Sequence, residues 1–216
     1  MQESIAPLLP YIVGGAAILI SITIHEFSHG LAAYLQGDNT ARDAGRLTLN
    51  PIAHIDPIGT ILLPAILILT RAPFLIGWAR PVPFNPLNLR NQRYGPLYVG
   101  LAGPLANAAL FTVSGVLLNL FVNPLGGTNF LVIFLSNLFV INIVLAVFNL
   151  IPIPPLDGSK ILAALLPPRL SHISMKLEIY GPYILLFLLF IEFTIHPFIG
   201  SFIFGAIRIV SRLFGI

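Results

Sequence analysis

The stretch that decides the fold is His25-Glu26-Phe27-Ser28-His29, a cluster of ionisable side chains inside the apolar segment from Leu8 to Leu35. Residues four positions apart on a helix lie one above the other on one face, so both histidines can reach a single metal ion. Glu26 lies beside them and is suited to polarise a water molecule on the metal rather than to bind the ion itself.

A cluster of hydrogen bonds to neighbouring helices is the alternative interpretation of these three residues. Ionisable side chains are costly inside a bilayer and usually mark a functional site. The segment offers them no evident cationic partner, which favours a metal ion over a purely structural role. His25 follows Leu8 by a helical rise of about 26 Å, which puts the motif near one end of a hydrocarbon core about 30 Å thick.

The composition excludes an ordinary soluble protein. Charged residues make up 9% of the chain, against about 25% in a typical soluble domain. Hydrophobic residues make up 56%, and the mean hydropathy is +0.92. The absence of cysteine excludes disulfides and thiolate metal sites. The 11 basic residues are scattered, so the net charge of +3 does not indicate nucleic-acid binding.

An all-α polytopic membrane protein with five to six transmembrane helices is predicted. The N-terminus up to Pro10 has no Lys or Arg, so we expect a retained first helix rather than a cleaved signal peptide. The last candidate span, Ser201–Phe214, contains Arg208 and Arg212 near its end. The candidate spans are Leu8–Leu35, Ile58–Thr70, Leu97–Val122, Phe130–Ile151, Ile179–Ile199 and Ser201–Phe214.

The stretch Ile58–Thr70 is too short to cross a bilayer and contains Pro64, so it is predicted to be re-entrant. All 11 basic residues then lie on one side, which the positive-inside rule makes cytoplasmic. This arrangement puts the metal motif toward the cytoplasmic face of the cell membrane. Residues 42–50 and the proline-rich stretch 80–86 are expected to form a small strand-and-loop layer on that face.

A catalytic zinc site needs a third protein ligand besides the two histidines. The first and fourth spans run in the same direction, so their cytoplasmic ends can lie side by side, and this favours Asp157. Asp157 could also cap the helix that follows it. The other candidates are His54 and Asp56, which are better explained as part of a turn, and Glu192 and His196, which are better explained as a local i,i+4 pair.

Two motifs together resemble the site-2 protease family of intramembrane zinc metalloproteases, in a compact form without a PDZ or regulatory domain. These are His25–His29 and Asn149-Leu-Ile-Pro-Ile-Pro-Pro-Leu-Asp157-Gly158, and Gly103-Pro-Leu-Ala-Asn107 is similar to the family's central core helix. The resemblance implies one zinc ion per chain, bound by His25, His29 and Asp157, with Glu26 as general base. It also implies that Asn149 assists substrate binding or stabilises the transition state.

What the resemblance implies for function is cleavage of single-pass or other transmembrane proteins within or near their membrane segments, as in regulated intramembrane proteolysis. The whole chain, 1–216, is expected to form one membrane-embedded domain. Its three-helix core lies within residues 8–166, and accessory helices occupy 179–216. The expected partners are the lipid bilayer and these substrates, and no nucleic acid.

Two other functions are compatible with the motif. An ion-relay transporter would need ionisable residues along a path across the membrane, but residues 97–151 contain none. A catalytically silent scaffold that keeps structural zinc would need a closed site with four protein ligands, whereas three are evident. Both alternatives predict that the chain cleaves no peptide bond.

Overall fold

The computed structural model describes residues 9–72 and 77–216, and within them every regular element is helical. The start of the first predicted span, at Leu8, lies outside these residues. Turns of 3₁₀ or π type lie at Pro51–His54, Pro57–Leu62, Pro86–Asn88 and Pro168–Leu170. The α-helices are α1 (Leu9–Leu35), α2 (Thr40–Asp43), α3 (Leu63–Leu69), α4 (Gly95–Leu125), α5 (Phe130–Asn149), α6 (Gly158–Leu165), α7 (Ser171–Thr194) and α8 (Phe198–Phe214).

Four of these helices, α1, α4, α5 and α7, are long and apolar enough to cross a membrane. The chain is therefore an all-α polytopic membrane protein, as predicted, although the described residues hold four spanning helices rather than five or six. Helices α1, α4 and α5 pack on one another and form the core. Helix α4 runs against α1, because Ser21 lies beside Asn107 and His29 beside Val99. Helix α5 runs in the same direction as α1, because Gly14 lies beside Asn137 and Ser21 beside Asn142.

The predicted re-entrant stretch consists of the π turn at Pro57–Leu62 and the short helix α3. The chain then returns to where it started, because the Trp78 amide donates to the Gly59 carbonyl over 3.2 Å and the Arg80 amide donates to the His54 carbonyl over 2.9 Å. A side chain at Gly59 would overlap the Trp78 ring, which comes within 2.3 Å of an added Cβ. Glycine is therefore required for this return.

The predicted strands of the small layer do not form. Residues 47–49 make bends, and residues 80–85 have no regular secondary structure and belong to no ladder. Pro81 and Pro83 have no amide hydrogen to donate to a neighbouring strand. The carbonyls of Arg80 and Pro81 accept instead from the Arg46 guanidinium, over 2.5 and 3.3 Å. The layer is thus held by one buried arginine instead of by strand pairing.

The sixth predicted span, α8, does not return to the end of the bundle where the histidines lie. Its last carbonyl, at Phe214, accepts from the Asn119 side chain over 2.7 Å, and the Phe214 ring packs edge-on against Phe139. Asn119 lies a helical rise of about 24 Å along α4 from Gly103, which contacts the histidines. The prediction that this segment crosses the membrane is therefore wrong. This amphipathic helix has 17 residues, fewer than a full crossing needs, and it ends beside the distal part of α4.

Candidate metal centre

Three buried side chains, His25, His29 and Asp157, converge on one point between α1, α4 and the start of α6. The two Nε2 atoms are 3.1 Å apart. The Asp157 Oδ2 atom is 3.2 Å from His25 Nε2 and 3.1 Å from His29 Nε2. The three residues form the one group of metal-ligating side chains among the described residues that is close enough to share an ion.

Local structure explains how these side chains come together. His25 and His29 lie one turn apart on α1, and Gly103 on α4 leaves room for their rings. Helix α5 ends at Asn149, and Pro152, Pro154 and Pro155 prevent the helix from continuing. The irregular stretch they cause carries Asp157 back toward α1. The carboxylate makes no capping bond to α6, so the capping role considered for it is not observed.

The outer nitrogen of each imidazole faces a carbonyl oxygen. His29 Nδ1 lies 2.6 Å from the Val99 carbonyl, and His25 Nδ1 lies 2.5 Å from Asn107 Oδ1. A carbonyl oxygen only accepts hydrogen bonds, so both Nδ1 atoms carry the proton and both Nε2 atoms present a lone pair. Such partners fix the tautomer and orientation of histidines that bind a metal.

The lone pairs of two nitrogens and one carboxylate oxygen therefore point at each other with no proton between them. Asp157 Oδ2 is buried and has no hydrogen-bond partner, which a cation at this position would provide. Zinc bonds of about 2.0–2.2 Å in a tetrahedron require ligand atoms about 3.4 Å apart. The observed 3.1–3.2 Å is close to this value, so the three residues fit a zinc ion.

Lys160 holds the other oxygen of the Asp157 carboxylate. Its Nζ donates to Oδ1 over 2.7 Å and lies 5.8 Å from the centre of the Phe84 ring. Burial of Asp157 opposes ionisation, but the Lys160 ammonium beside Oδ1 stabilises the charged form of the carboxyl. The carboxylate is therefore charged and offers one oxygen to the site.

Glu26 lies next to the ligand group without joining it. Its Oε2 accepts from the Val82 amide over 2.9 Å. Val82 stands between Pro81 and Pro83, so it provides the one amide hydrogen of this Pro-Val-Pro stretch. A carboxylate beside a metal site and held by one backbone amide can accept a proton from a water molecule, as a general base does.

An apolar cleft of about 590 Å³ leads toward this group along the bundle. Its walls are α1, α5 and the re-entrant stretch with Trp78. Ile22 on α1 and Leu145 on α5 are the last residues of each wall before the metal centre. One helical turn further lie Glu26 and Asn149, so the faces that line the cleft continue into these two residues. The Asn149 amide donates to the Leu145 carbonyl over 3.0 Å.

The other sequence candidates lie outside the ligand group. The His54 ring contacts the Thr48 carbonyl over 2.8 Å, and Asp56 caps the re-entrant turn through the amides of Ile58 and Gly59. Both belong to a turn, as predicted. The Glu192 carboxylate accepts from two amides at the start of α8, rather than pairing with His196. Sequence reasoning missed Val82 and Lys160, and it noted Asn107 only as part of the Gly103–Asn107 motif, without its contact with His25.

Comparison with known proteins finds one matching family and relatives that are named as zinc metalloproteases. The sequence pattern of Peptidase family M50 matches residues 126–191, which include Asn149 and Asp157. The chain is 38% identical to the Bacillus subtilis protein named "Putative zinc metalloprotease YwhC" over 203 residues, 91% of this chain and 84% of that protein.

Two mycobacterial relatives carry the name "Putative zinc metalloprotease Rip2". The protein of Mycolicibacterium smegmatis is 30% identical over 88% of this chain and 69% of its own length. That of Mycobacterium tuberculosis strain H37Rv is 29% identical over 99% of this chain and 80% of its own length. No solved structure matches the chain.

Proposed function

This chain belongs to peptidase family M50, the site-2 protease family of zinc metalloproteases, and on that premise we propose that His25, His29 and Asp157 hold its zinc ion. The chain is a membrane-embedded, zinc-dependent metalloprotease. The observation that carries the ligand assignment is the convergence of two Nε2 lone pairs and an unpartnered Asp157 Oδ2 within 3.1–3.2 Å of each other.

Zinc bound there would act as a Lewis acid on a water molecule and on the scissile carbonyl. Glu26 would accept the proton of the water and pass it to the leaving amine. The Val82 amide keeps Glu26 beside the ligand group without removing its charge. Lys160 keeps Asp157 ionised and limits it to one ligating oxygen. Asn149 would donate a hydrogen bond to the developing oxyanion or to the substrate backbone.

The proposed substrates are transmembrane segments of other membrane proteins, cut in the course of regulated intramembrane proteolysis. The apolar cleft supports this, because its walls suit hydrophobic side chains and its faces continue into Glu26 and Asn149. An extended backbone inside such a cleft would leave its amides and carbonyls unpaired, at high cost. The substrate would therefore stay helical in the cleft and unwind only beside the polar residues of the metal centre.

We place the metal centre toward the cytoplasmic face of the cell membrane. Arg208 and Arg212 lie at the distal end, and Arg71 lies at the tip of the re-entrant stretch, so 11 − 3 = 8 basic residues remain at the metal-site end. Basic residues still predominate at that end, which the positive-inside rule assigns to the cytoplasm.

Purified full-length chain, zinc analysis and a cleavage assay on a membrane-spanning substrate test this proposal. Wild type should contain about one zinc ion per chain and cleave. Glu26→Gln should keep its zinc and lose cleavage by about 10²-fold or more. Zinc retention with equal inactivity of both proteins would indicate a silent scaffold. Normal cleavage by Glu26→Gln would refute the assignment of the base.

A further inference from the structure

A series of hydrogen-bonded, buried polar side chains runs from the metal centre into the apolar interior of the bundle. It consists of Asn107 on α4, Asn142 on α5 and Ser21 on α1, each with 0% of its surface exposed. His25 Nδ1 lies 2.5 Å from Asn107 Oδ1. The Asn107 Nδ2 atom lies 2.6 Å from Asn142 Oδ1, and the Asn142 Nδ2 atom lies 2.8 Å from Ser21 Oγ.

The hydrogen bonds at the Ser21 end of this series determine which group donates and which accepts in every other bond of the series. The Ser21 hydroxyl donates to the Ala17 carbonyl, so its oxygen is left to accept from Asn142. The Asn142 Nδ2 group also donates to the Leu138 carbonyl, over 2.7 Å. With both of its N–H bonds directed at acceptors, this amide can present only its oxygen to Asn107.

The same reasoning then fixes Asn107 and the histidine. Asn107 uses its amino group on Asn142 Oδ1 and, over 3.5 Å, on the Ser21 carbonyl. Its oxygen must therefore face His25 Nδ1, which can donate to it only when that nitrogen is protonated. This leaves the Nε2 lone pair of His25 free to face the metal. If Asn107 turned over, its amino group would face Nδ1 and favour the tautomer that cannot bind zinc.

We infer that Asn142 and Ser21 are positioning residues for the metal centre, which act on His25 through the orientation of the Asn107 amide. The inference rests on the proposed assignment of His25 as a zinc ligand. Among the described residues, the side chains of Asn142 and Ser21 make no hydrogen bond to a proposed ligand, so their effect on zinc has to pass through the Asn107 amide. A purely adhesive role between α1, α4 and α5 would stabilise the bundle without altering zinc affinity.

The experiment compares zinc affinity and thermal stability of the full-length protein in detergent micelles. Zn²⁺ affinity is measured by competition with a chromophoric chelator, and unfolding is followed on the metal-free protein. Asn107→Leu and Asn142→Leu should each weaken zinc binding roughly 10- to 100-fold, the range for outer-shell partners of ligating histidines. Asn137→Leu is the matched control, because within the described part of the chain the side chain of this half-buried residue of α5 bonds only to the Ile133 carbonyl of its own helix. It should change zinc affinity less than about twofold.

The double variant separates positioning from adhesion. Since Asn142 acts through Asn107, Asn142→Leu should cause no further loss of zinc affinity in an Asn107→Leu background, although the two losses of thermal stability need not overlap. Additive losses of zinc affinity would overturn the inference, and so would wild-type affinity in Asn142→Leu. If Asn142→Leu does not fold, Ser21→Ala decides, and unchanged zinc affinity in that variant overturns the inference. Failure of the wild type to bind zinc would refute the proposed function itself.

Discussion

Gly103 lies where α4 meets the two histidine rings. Replacing it by alanine probes the metal centre while every proposed ligand residue is kept. A Cβ at this position would be 2.5 Å from His29 Nε2 and 2.6 Å from His25 Cε1. Ordinary contacts between such atoms are about 3.5 Å, so the rings or α4 would have to withdraw by about 1 Å. Both rings are held at their other edge by carbonyl oxygens, which leaves them little freedom to retreat.

A displacement of this size is large for a metal site. Zinc ligands keep their distances within about 0.2 Å, so a shift of about 1 Å should disrupt both nitrogen bonds. We expect Gly103→Ala to weaken zinc binding by more than the roughly 100-fold that loss of one outer-shell partner can cause. Stability of the metal-free protein should change much less. Alanine gains about 1 kcal/mol over glycine in a helix, against an overpacking cost of about 1–3 kcal/mol.

The assay is chelator competition for Zn²⁺ on full-length protein, with thermal unfolding of the metal-free form measured alongside. Gly15→Ala is the control, since a Cβ on that helical glycine meets no atom within 4 Å. It should leave zinc affinity unchanged and be neutral or stabilising by up to about 1 kcal/mol. Wild-type zinc affinity in Gly103→Ala would show that the histidines do not occupy the positions described, and the ligand assignment would fall with it.

Three further outcomes follow from the structure. Lys160→Met should weaken zinc binding about tenfold in chelator competition, because the Asp157 Oδ1 atom loses its partner; unchanged affinity would contradict that role. The pKa of Asp38 is depressed by four hydrogen bonds despite burial, so its contribution to stability is present above about pH 4 and is lost as the pH falls through the lower folded-state pKa. Stability should therefore fall less steeply with decreasing pH in Asp38→Asn than in wild type, as measured by acid unfolding followed by circular dichroism. An equal pH dependence in the two proteins would contradict this role of Asp38. Since the chain has no cysteine, an impermeant thiol reagent should label Ile216→Cys and Gly127→Cys from the same side of a sealed vesicle; labelling from opposite sides would place the end of α8 elsewhere.

The three proposed metal ligands were accessible to sequence reasoning because each depends on a short local pattern. Two histidines one helical turn apart share a face whatever surrounds them, and the prolines before Asp157 forbid helix independently of tertiary contacts. Gly103 and Asn107 were visible as a motif, but their contacts with His25 and His29 depend on how α4 crosses α1. Such a crossing has no local signature.

The layer near residues 80–86 was mispredicted for a related reason. The proline-rich sequence correctly indicated non-helical backbone, but whether such backbone pairs into a sheet depends on what meets its carbonyls. Here the partner is Arg46, from a turn 34 positions before Arg80. The Val82 amide likewise meets the Glu26 carboxylate rather than another strand. Side chains distant in sequence thus pair with the backbone carbonyls and the amide that a strand ladder would have paired.

The correction to α8 changes the charge distribution but leaves the side of the metal centre unchanged. The original expectation depended on all 11 basic residues lying together, and two of them, Arg208 and Arg212, now lie at the distal end. The shared direction of α1 and α5 does not depend on α8, because it follows from the contacts of Ser21 with Asn142 and of His25 with Asp157. If the re-entrant stretch crossed the membrane completely, α4 would run in the same direction as α1, and Asn107 could not reach His25 while Val99 reaches His29. The position of the metal centre and the return of the re-entrant stretch therefore depend on each other, whereas the side of the C-terminus can vary without affecting either.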